Sequence, residues 1–479
     1  MTRGVFTKIG AAFVALIAGI ALIVPSSAAG YRERSVEIAP GVVFTKIRDP
    51  KGPWSIRVVS IDLAEASTIE PVLATDKLPG LERTSAIAAR YGALAAINGD
   101  YFRESGRPVM LFAQDGELAQ TALLPGVNFA VDQSETTAFI GRPRAELWLA
   151  EADSGLSHAV GRFNAGAPVP GQIAGYSALG GRDEKPPYGA CSARLYATEP
   201  WRAAFTRVGT AQSHVVHEVA CKSGRMFPKK GRVFSAAPST PEATSVTSLV
   251  PGENVEFGWS LGWPGVIETI GGNPTLVRNG ELFIGSGSTP FFQRHPRTGV
   301  GYTDDGRVLF VTVDGRQPGY SVGMTPKRFA KLFMSLGATY ALNLDGGGST
   351  TMVVNDEIVN RPSDGRERLV GSALLLLPGA DPVPVATPAP VPTSTPTPLP
   401  SVTPPPTMSP DPSTTPEPSV SPSQLIPDVP RGTTVSLDAW RAAVTDPASI
   451  GGLAYWLRSE GIRLRGSLRK AALLFSRVR

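Results

Sequence analysis

The sequence predicts an α+β fold: a single strand-rich catalytic domain at about residues 30–378, with few helices and a β-rich insertion at about 133–255. Three observations carry this expectation. Short apolar runs recur along the body, punctuated by Asn-Gly, Asp-Gly and Gly-Gly pairs that read as tight turns between strands. Thr325–Leu336 is the clearest of the few helical patterns, and it leads straight into another apolar strand. After the apolar strand Ser372–Leu377 the composition changes abruptly to Pro, Thr and Ser, which ends the folded body.

Taken in order, the chain opens with Arg3 and Lys8, an apolar run from Ile9 to Val24 and the small-residue sequence Pro25-Ser26-Ser27-Ala28-Ala29. This reads as a secretory signal over residues 1–29, cleaved near Ala29. A retained anchor is the competing reading, although the run is short for a spanning helix. Ser55–Leu63 alternates as a strand, and Thr84–Tyr91 is a short helix feeding the strand Leu94–Ile97. Val308–Val313 is an apolar strand. In Thr325–Leu336, Thr325 can cap and Pro326 suits the first turn, while Phe329, Leu332, Phe333 and Leu336 share one face. Thr339–Leu344 then forms a strand that ends in glycines.

Residues 379–430 read as an extended linker, as in Thr395-Pro396-Thr397-Pro398 and Pro404-Pro405-Pro406. Residues 431–479 form a basic tail, with Leu453, Leu457, Leu464, Leu468 and Phe475 spaced among arginines. A basic amphipathic segment of this kind suits an anionic membrane or cell-envelope surface, although Gly461 and Gly466 weaken any helix there and an unstructured basic tail is the alternative. The tail also accounts for the formal charge of +5, so the charge is no sign of nucleic-acid binding by the folded body.

Only Cys191 and Cys221 occur, and in an exported chain such a pair implies one disulfide, with two free thiols as the alternative. The histidines are His158, His214, His217 and His295, and they show no zinc spacing. His214 and His217 come closest, without further ligands nearby. No metal or cofactor is expected.

The chemistry concentrates in glycine-flanked polar residues at strand ends. Asn343-Leu344-Asp345-Gly346-Gly347-Gly348-Ser349-Thr350-Thr351 places a carboxylate before a turn whose N–H groups could converge on an anion. A plain hairpin turn is the alternative there, and also at Asn98-Gly99-Asp100-Tyr101-Phe102. Gly271-Gly272-Asn273-Pro274, His295-Pro296-Arg297-Thr298, Asp314-Gly315-Arg316-Gln317 and Arg361-Pro362-Ser363-Asp364-Gly365 have the same character.

In this order, these segments resemble the phosphodiester glycosidase family over about Leu94 to Leu377, most closely from Gly271 onward. The motifs that carry the resemblance are Asn98–Phe102, His295–Thr298, Asp314–Gln317, Asn343–Thr350 and Arg361–Gly365. It implies hydrolysis of the bond between an anomeric carbon and a phosphate, as in an N-acetylglucosamine-1-phosphate diester. Unlike the animal members, this chain has no cysteine-rich region after the catalytic part, so a sugar-phosphate or polysaccharide of an envelope polymer is the expected substrate.

The residue types fit that chemistry on their own terms. A phosphate monoester is a weakly basic leaving group, so stabilising its charge matters more than protonating it. Arg297, Arg316 and Arg361 are candidates to clamp it. The backbone of Gly346, Gly347, Gly348 and Ser349 is a candidate cradle. Asp345 is the first choice to attack or activate water and Asp100 the second, with His295 as an acid or phosphate donor. Asn98 and Asn343 would orient substrate hydroxyls or hold the loops, and Asp314 would orient Arg316 through a salt bridge. Two rival readings remain. A carbohydrate-binding module would use Tyr101 and Phe102 as stacking platforms, and a metal-dependent phosphodiesterase would gather Asp100, Asp314 and Asp345 about one ion.

Overall fold

The computed structural model describes residues 30–378, apart from 66, 153, 181–183, 199–203, 207–208, 222–225 and 229–230. The expected signal (1–29), linker (379–430) and basic tail (431–479) lie outside the described residues.

The body is built on two antiparallel sheets. The larger has eight strands in the order Arg32–Ala39, Val42–Asp49, Trp54–Asp62, Arg307–Val313, Arg297–Thr303, Ala338–Asn343, Thr275–Arg278 and Glu281–Leu282. The smaller has five: Glu357–Ile358, Met352–Val354, Ala95–Asn98, Ser372–Pro378 and Ser67–Leu73. Between them lies the main core, where Val59, Ile61, Val300, Phe310 and Leu342 meet Ile97, Met352, Leu374 and Leu376.

The central strands are apolar on both faces, for a reason visible in their period of two. In Trp54–Asp62, Val59 and Ile61 point into the main core, whereas Ile56 and Val58 join a second cluster on the opposite face. That second cluster is closed by α3 (numbered after α1, Thr84–Tyr91, and α2, Pro241–Thr247), which spans Pro326–Ser335 and buries Phe329, Ala330 and Phe333. Thr325 caps α3 by accepting the Arg328 N–H at 3.3 Å, as its sequence position predicts. Helix α1 covers the far face of the five-stranded sheet through Ile87 and Ala88. The result is four layers, helix on sheet on sheet on helix, consistent with the α+β expectation.

The insertion is a closed barrel. Seven strands run in the order Cys191–Ala197, Arg232–Ala236, Ile173–Ser177, Ser157–Phe163, Glu146–Glu151, Asn254–Ser260 and Gly209–Ala220, and the last pairs back onto the first. Closure leaves no sheet edge among these strands. Phe163, Phe234, Phe257 and Trp259 fill the interior, and Ala243 and Val246 of α2 pack against the same cluster. The bounds differ from the expected 133–255. Val127–Val131 and Ala138–Gly141 form a hairpin that pairs with Ile270–Gly272 instead. Asp132 sets that turn by accepting the N–H groups of Thr136 and Thr137.

Cys191 and Cys221 form the expected disulfide, at a sequence separation of 30. His214 and His217 do not form a metal site. His214 is buried, donates from Nδ1 to the Gln212 carbonyl at 2.7 Å and accepts from Arg232 at Nε2, also at 2.7 Å. Burial, then the Arg232 charge, pushes its pKa down to about 3, so the ring is neutral. His217 instead packs on the Tyr196 ring.

Candidate active site

The five motifs converge because their strands are neighbours. Ala95–Asn98 lies in the smaller sheet, while Arg297–Thr303, Arg307–Val313 and Ala338–Asn343 are adjacent in the larger. Asn98 ties them together. It is fully buried, donates from Nδ2 to the Asp345 carbonyl at 2.7 Å, and accepts from Thr298 Oγ1 at 2.8 Å and Thr351 N–H at 3.1 Å. The Asp345 N–H in turn donates to the Gly99 carbonyl at 3.1 Å. Of the two roles expected for Asn98, the one its bonds serve is holding the loops.

Asp100 is 1% exposed, with Oδ2 accepting the Met110 N–H at 2.8 Å and Oδ1 unpartnered among the described residues. Burial raises its pKa to about 8; the N–H groups of Met110 and Tyr101 oppose the rise, and the nearby Asp345 charge adds to it. Its burial thus favours the neutral carboxylic acid near pH 7. Gly271 makes room for it, because a Cβ there would lie 3.0 Å from Asp100 Oδ2 and 2.0 Å from Met110 Cβ.

Asp345 keeps part of its surface open. Burial pushes its pKa above the usual carboxylate value, while the Ser349 hydroxyl, the Gly346 N–H and the Arg368 charge pull it down. The Gly346 N–H donates to Asp345 Oδ1 at 2.9 Å, whereas the Ser349 hydroxyl lies nearby without good hydrogen-bond geometry.

The glycine turn is not the expected cradle of convergent N–H groups. Gly347–Ser349 is a single 3₁₀ turn in which the N–H groups of Gly347, Ser349 and Thr350 are already engaged. Gly347 N–H goes to the Pro296 carbonyl at 3.0 Å, Ser349 N–H to Gly346 at 3.2 Å and Thr350 N–H to Gly347 at 3.3 Å. Guanidinium groups lie against this turn. A Cβ on Gly347 would sit 3.0 Å from Arg316 Nη2, and one on Gly348 would sit 2.1 Å from Arg368 Nη2 and 2.2 Å from Asp364 Oδ2.

Three expected roles change. His295 donates from Nε2 to the Pro290 carbonyl at 2.8 Å, and its Nδ1 accepts from Arg316 Nη2 at 3.3 Å. It therefore orients Arg316, and its ring N–H is not free to protonate a phosphate. Arg297 is 3% exposed and donates to the carbonyls of Met324 (3.0 Å), Phe291 (2.5 Å) and Gln293 (2.9 Å). It holds the loop before the motif, which leaves only Nη1 outside these bonds. Burial lowers its pKa to about 10, with Tyr101 opposing and Arg316 adding to the fall. Asp314 makes no salt bridge with Arg316; its carboxylate accepts from Tyr320 (3.1 Å), Asn360 (3.1 Å) and the Arg361 N–H (2.9 Å). That commitment separates it from Asp100 and Asp345, and among the described residues no three His, Cys, Asp or Glu side chains are placed to hold a metal ion. Arg361 lies over the Tyr320 ring, 5.3 Å from its centroid.

Asn343 donates from Nδ2 to Tyr101 Oη at 2.6 Å, and Tyr101 donates to the Asn273 carbonyl at 2.9 Å. Burial raises the Tyr101 pKa; Asp345 and Asp100 add to this and Arg297 opposes it, so the phenol sits among all three groups. Arg368 is the site residue that sequence reasoning missed, and Tyr101 entered there only as a stacking platform of the rival carbohydrate-binding reading. The aromatic in Asn-Gly-Asp-Tyr-Phe was the available signal for Tyr101. Arg368 carried none, since an arginine beside an exposed turn looks like ordinary surface.

The site thus brings together a buried carboxyl and a second, partly open one, both raised by burial, with two guanidinium groups over the adjoining turn.

Residues 204–377 match the phosphodiester glycosidase family. The SPbeta prophage-derived uncharacterized protein YomE of Bacillus subtilis is 41% identical over 83 residues, 17% of this chain and 13% of that protein. The N-acetylglucosamine-1-phosphodiester alpha-N-acetylglucosaminidase of Bos taurus is 29% identical over 112 residues, 20% of this chain and 21% of that protein. The matches thus span about a fifth or less of these relatives' length. The crystal structure of a hypothetical protein from Synechocystis shares the fold, at TM-score 0.55 and 18% identity over 73% of this chain and 64% of that one. The family resemblance is thereby shown: over residues 204–377, which hold all of the motifs except Asn98–Phe102, this chain matches the phosphodiester glycosidase family.

Proposed function

We propose that this chain is a hydrolase that cleaves the glycosidic C–O bond of a sugar-1-phosphodiester. The observation that carries the reading is the carboxyl pair, Asp100 buried near the partly open Asp345, next to Arg316 at the glycine turn. In the reaction the bond between the anomeric carbon and the phosphate oxygen breaks and its electron pair leaves on the phosphate. Water supplies the new oxygen on the sugar and releases one proton. Asp345 attacks the anomeric carbon or takes the proton from water. Asp100, being neutral, adds no second negative charge beside it. Arg316, oriented by His295, meets the charge that develops on the phosphate.

The substrate we propose is an N-acetylglucosamine-1-phosphate type diester or a sugar-phosphate linkage of an envelope polymer, and the site of action is outside the cytoplasm. The apolar N-terminus and the Cys191–Cys221 disulfide support export, since disulfides persist in oxidising compartments. The basic tail would then hold the enzyme to an anionic membrane or envelope surface.

Hydrolysis of an N-acetylglucosamine-1-phosphodiester in ¹⁸O-labelled water tests the reading, comparing wild type with Asp345→Asn with and without chelator. Label in the released sugar, lost in the variant by about two to four orders of magnitude, is the expected result. Label in the phosphate would instead make the chain a phosphodiesterase.

A further inference from the structure

We propose that Arg368 is a second anion-binding arginine of this site and that Asp364 occupies its guanidinium until a substrate phosphate displaces it. The proposal rests on the phosphodiester reading above and adds the means by which the phosphate is recognised.

Arg368 donates from Nη2 and Nε to Asp364 Oδ2, at 2.6 and 3.1 Å. With side-chain exposures of 45% and 36% and an i,i+4 spacing, this would ordinarily be a surface ion pair of little consequence. Its position argues for more. Both partners lie against Gly348, where a Cβ would come 2.1 Å from Arg368 Nη2 and 2.2 Å from Asp364 Oδ2, and Arg316 lies against the adjacent Gly347. Two guanidinium groups therefore cover two successive glycines of the turn that follows Asp345. One of them already holds an anionic oxygen there, and the Arg368 charge reaches the Asp345 carboxylate.

The two partners are anchored differently. Beside Arg368, buried Glu367 accepts the N–H and hydroxyl of Ser85 at 2.8 and 2.5 Å, which fixes the segment to the start of α1. Leu369 and Val370 pair with Arg83 and Glu82. Asp364 belongs to the exposed turn closed by Gly365 N–H on the Pro362 carbonyl. Arg368 thus stays in place while Asp364 can swing away. A carboxylate and a phosphate present the same pair of oxygens to a guanidinium fork, so one can replace the other.

The test measures inorganic phosphate binding to the full chain by calorimetry for wild type, Arg368→Gln, Arg368→Lys and Asp364→Asn. Turnover of a glycosyl phosphodiester and of the neutral nitrophenyl glycoside of the same sugar is followed in parallel. We expect Arg368→Gln to weaken phosphate binding at least tenfold and to reduce kcat/KM on the diester at least tenfold more than on the neutral glycoside. Arg368→Lys should fall between, and Asp364→Asn should tighten phosphate several-fold because it removes the competitor. The proposal is overturned if wild type binds no phosphate, if Arg368→Gln binds it as wild type does, or if Asp364→Asn weakens binding as much as Arg368→Gln. Should no diester be cleaved while the binding pattern holds, the hydrolase reading falls and the anion site stands. Diester cleavage with phosphate binding indifferent to Arg368 would keep the hydrolase reading and remove the anion site.

Discussion

Asp100 and Asp345 carry the same functional group, yet their surroundings set them apart. Asp100 is sealed behind Met110 and Gly271 with one oxygen unpartnered, whereas Asp345 retains exposure and takes the Gly346 N–H. The raised pKa of Asp100, about 8, has a defined sign. The folded protein holds this proton more tightly than the unfolded chain. The stability it contributes is complete below the ordinary Asp pKa and is lost as pH rises through about 8. Activity should follow the same group, because ionising Asp100 places a second negative charge beside Asp345. We therefore expect kcat/KM to fall above about pH 8, and Asp100→Asn, which cannot ionise, to lose that alkaline limb. A pH–rate profile of the two proteins measures this; an unchanged limb in the variant would assign it to another group. The roles of His295, Arg297 and Asp314 belong to this scale too. Each has the residue type its expected role needed, but its hydrogen bonds commit it to the scaffold.

At the scale of elements, the sequence was legible wherever one residue pattern met one neighbour. Helix α3 was readable because Thr325 and Pro326 mark its start and Phe329 and Phe333 recur on the face that packs on the sheet. The strand before the glycine turn was readable for the same local reason. The barrel was not. Its strands alternate irregularly, its turns are polar, and closure between Cys191–Ala197 and Gly209–Ala220 depends on pairings that no local pattern records. The junction between the sheets turns on Asn98, whose three hydrogen bonds span residues 298, 345 and 351. Asn98→Ala leaves the Thr351 N–H and the Asp345 carbonyl buried without partners. We expect a loss of about 2–4 kcal/mol in denaturant unfolding, with a fall in kcat because Asp345 is no longer fixed. A stable variant with wild-type kcat would show that the tether is dispensable.

Across the whole molecule, a second group of carboxylates lies away from the candidate active site. Glu70, Asp115, Glu135 and Glu268 come from separate segments. Burial first, and mutual repulsion after it, raises Glu268 to about 9 and Glu70 and Glu135 to about 7, with Asp115 also raised. These groups favour the folded state while protonated, so their contribution is lost as pH rises through about 7 to 9. We expect the melting temperature to drop by several degrees between pH 6 and pH 9, a change of a few kcal/mol. Glu268→Gln should narrow that gap. Equal slopes in both proteins would place the alkaline loss elsewhere.

By itself the sequence determined the α+β class, the helix and strands around the glycine turn, and the five motifs with their order. It also determined the cysteine pair and the family those motifs resemble. These depend on residues near one another in the chain, where periodicity, capping and turn chemistry act. The tertiary structure decided the rest: that Asp100 is neutral, that Arg297 and His295 serve the scaffold, that Asp314 stands apart, and that Arg368 reaches the turn. Ionisation and hydrogen-bond commitment are set by whatever the fold brings alongside, as between Asn98 and Thr351, 253 positions apart in the chain.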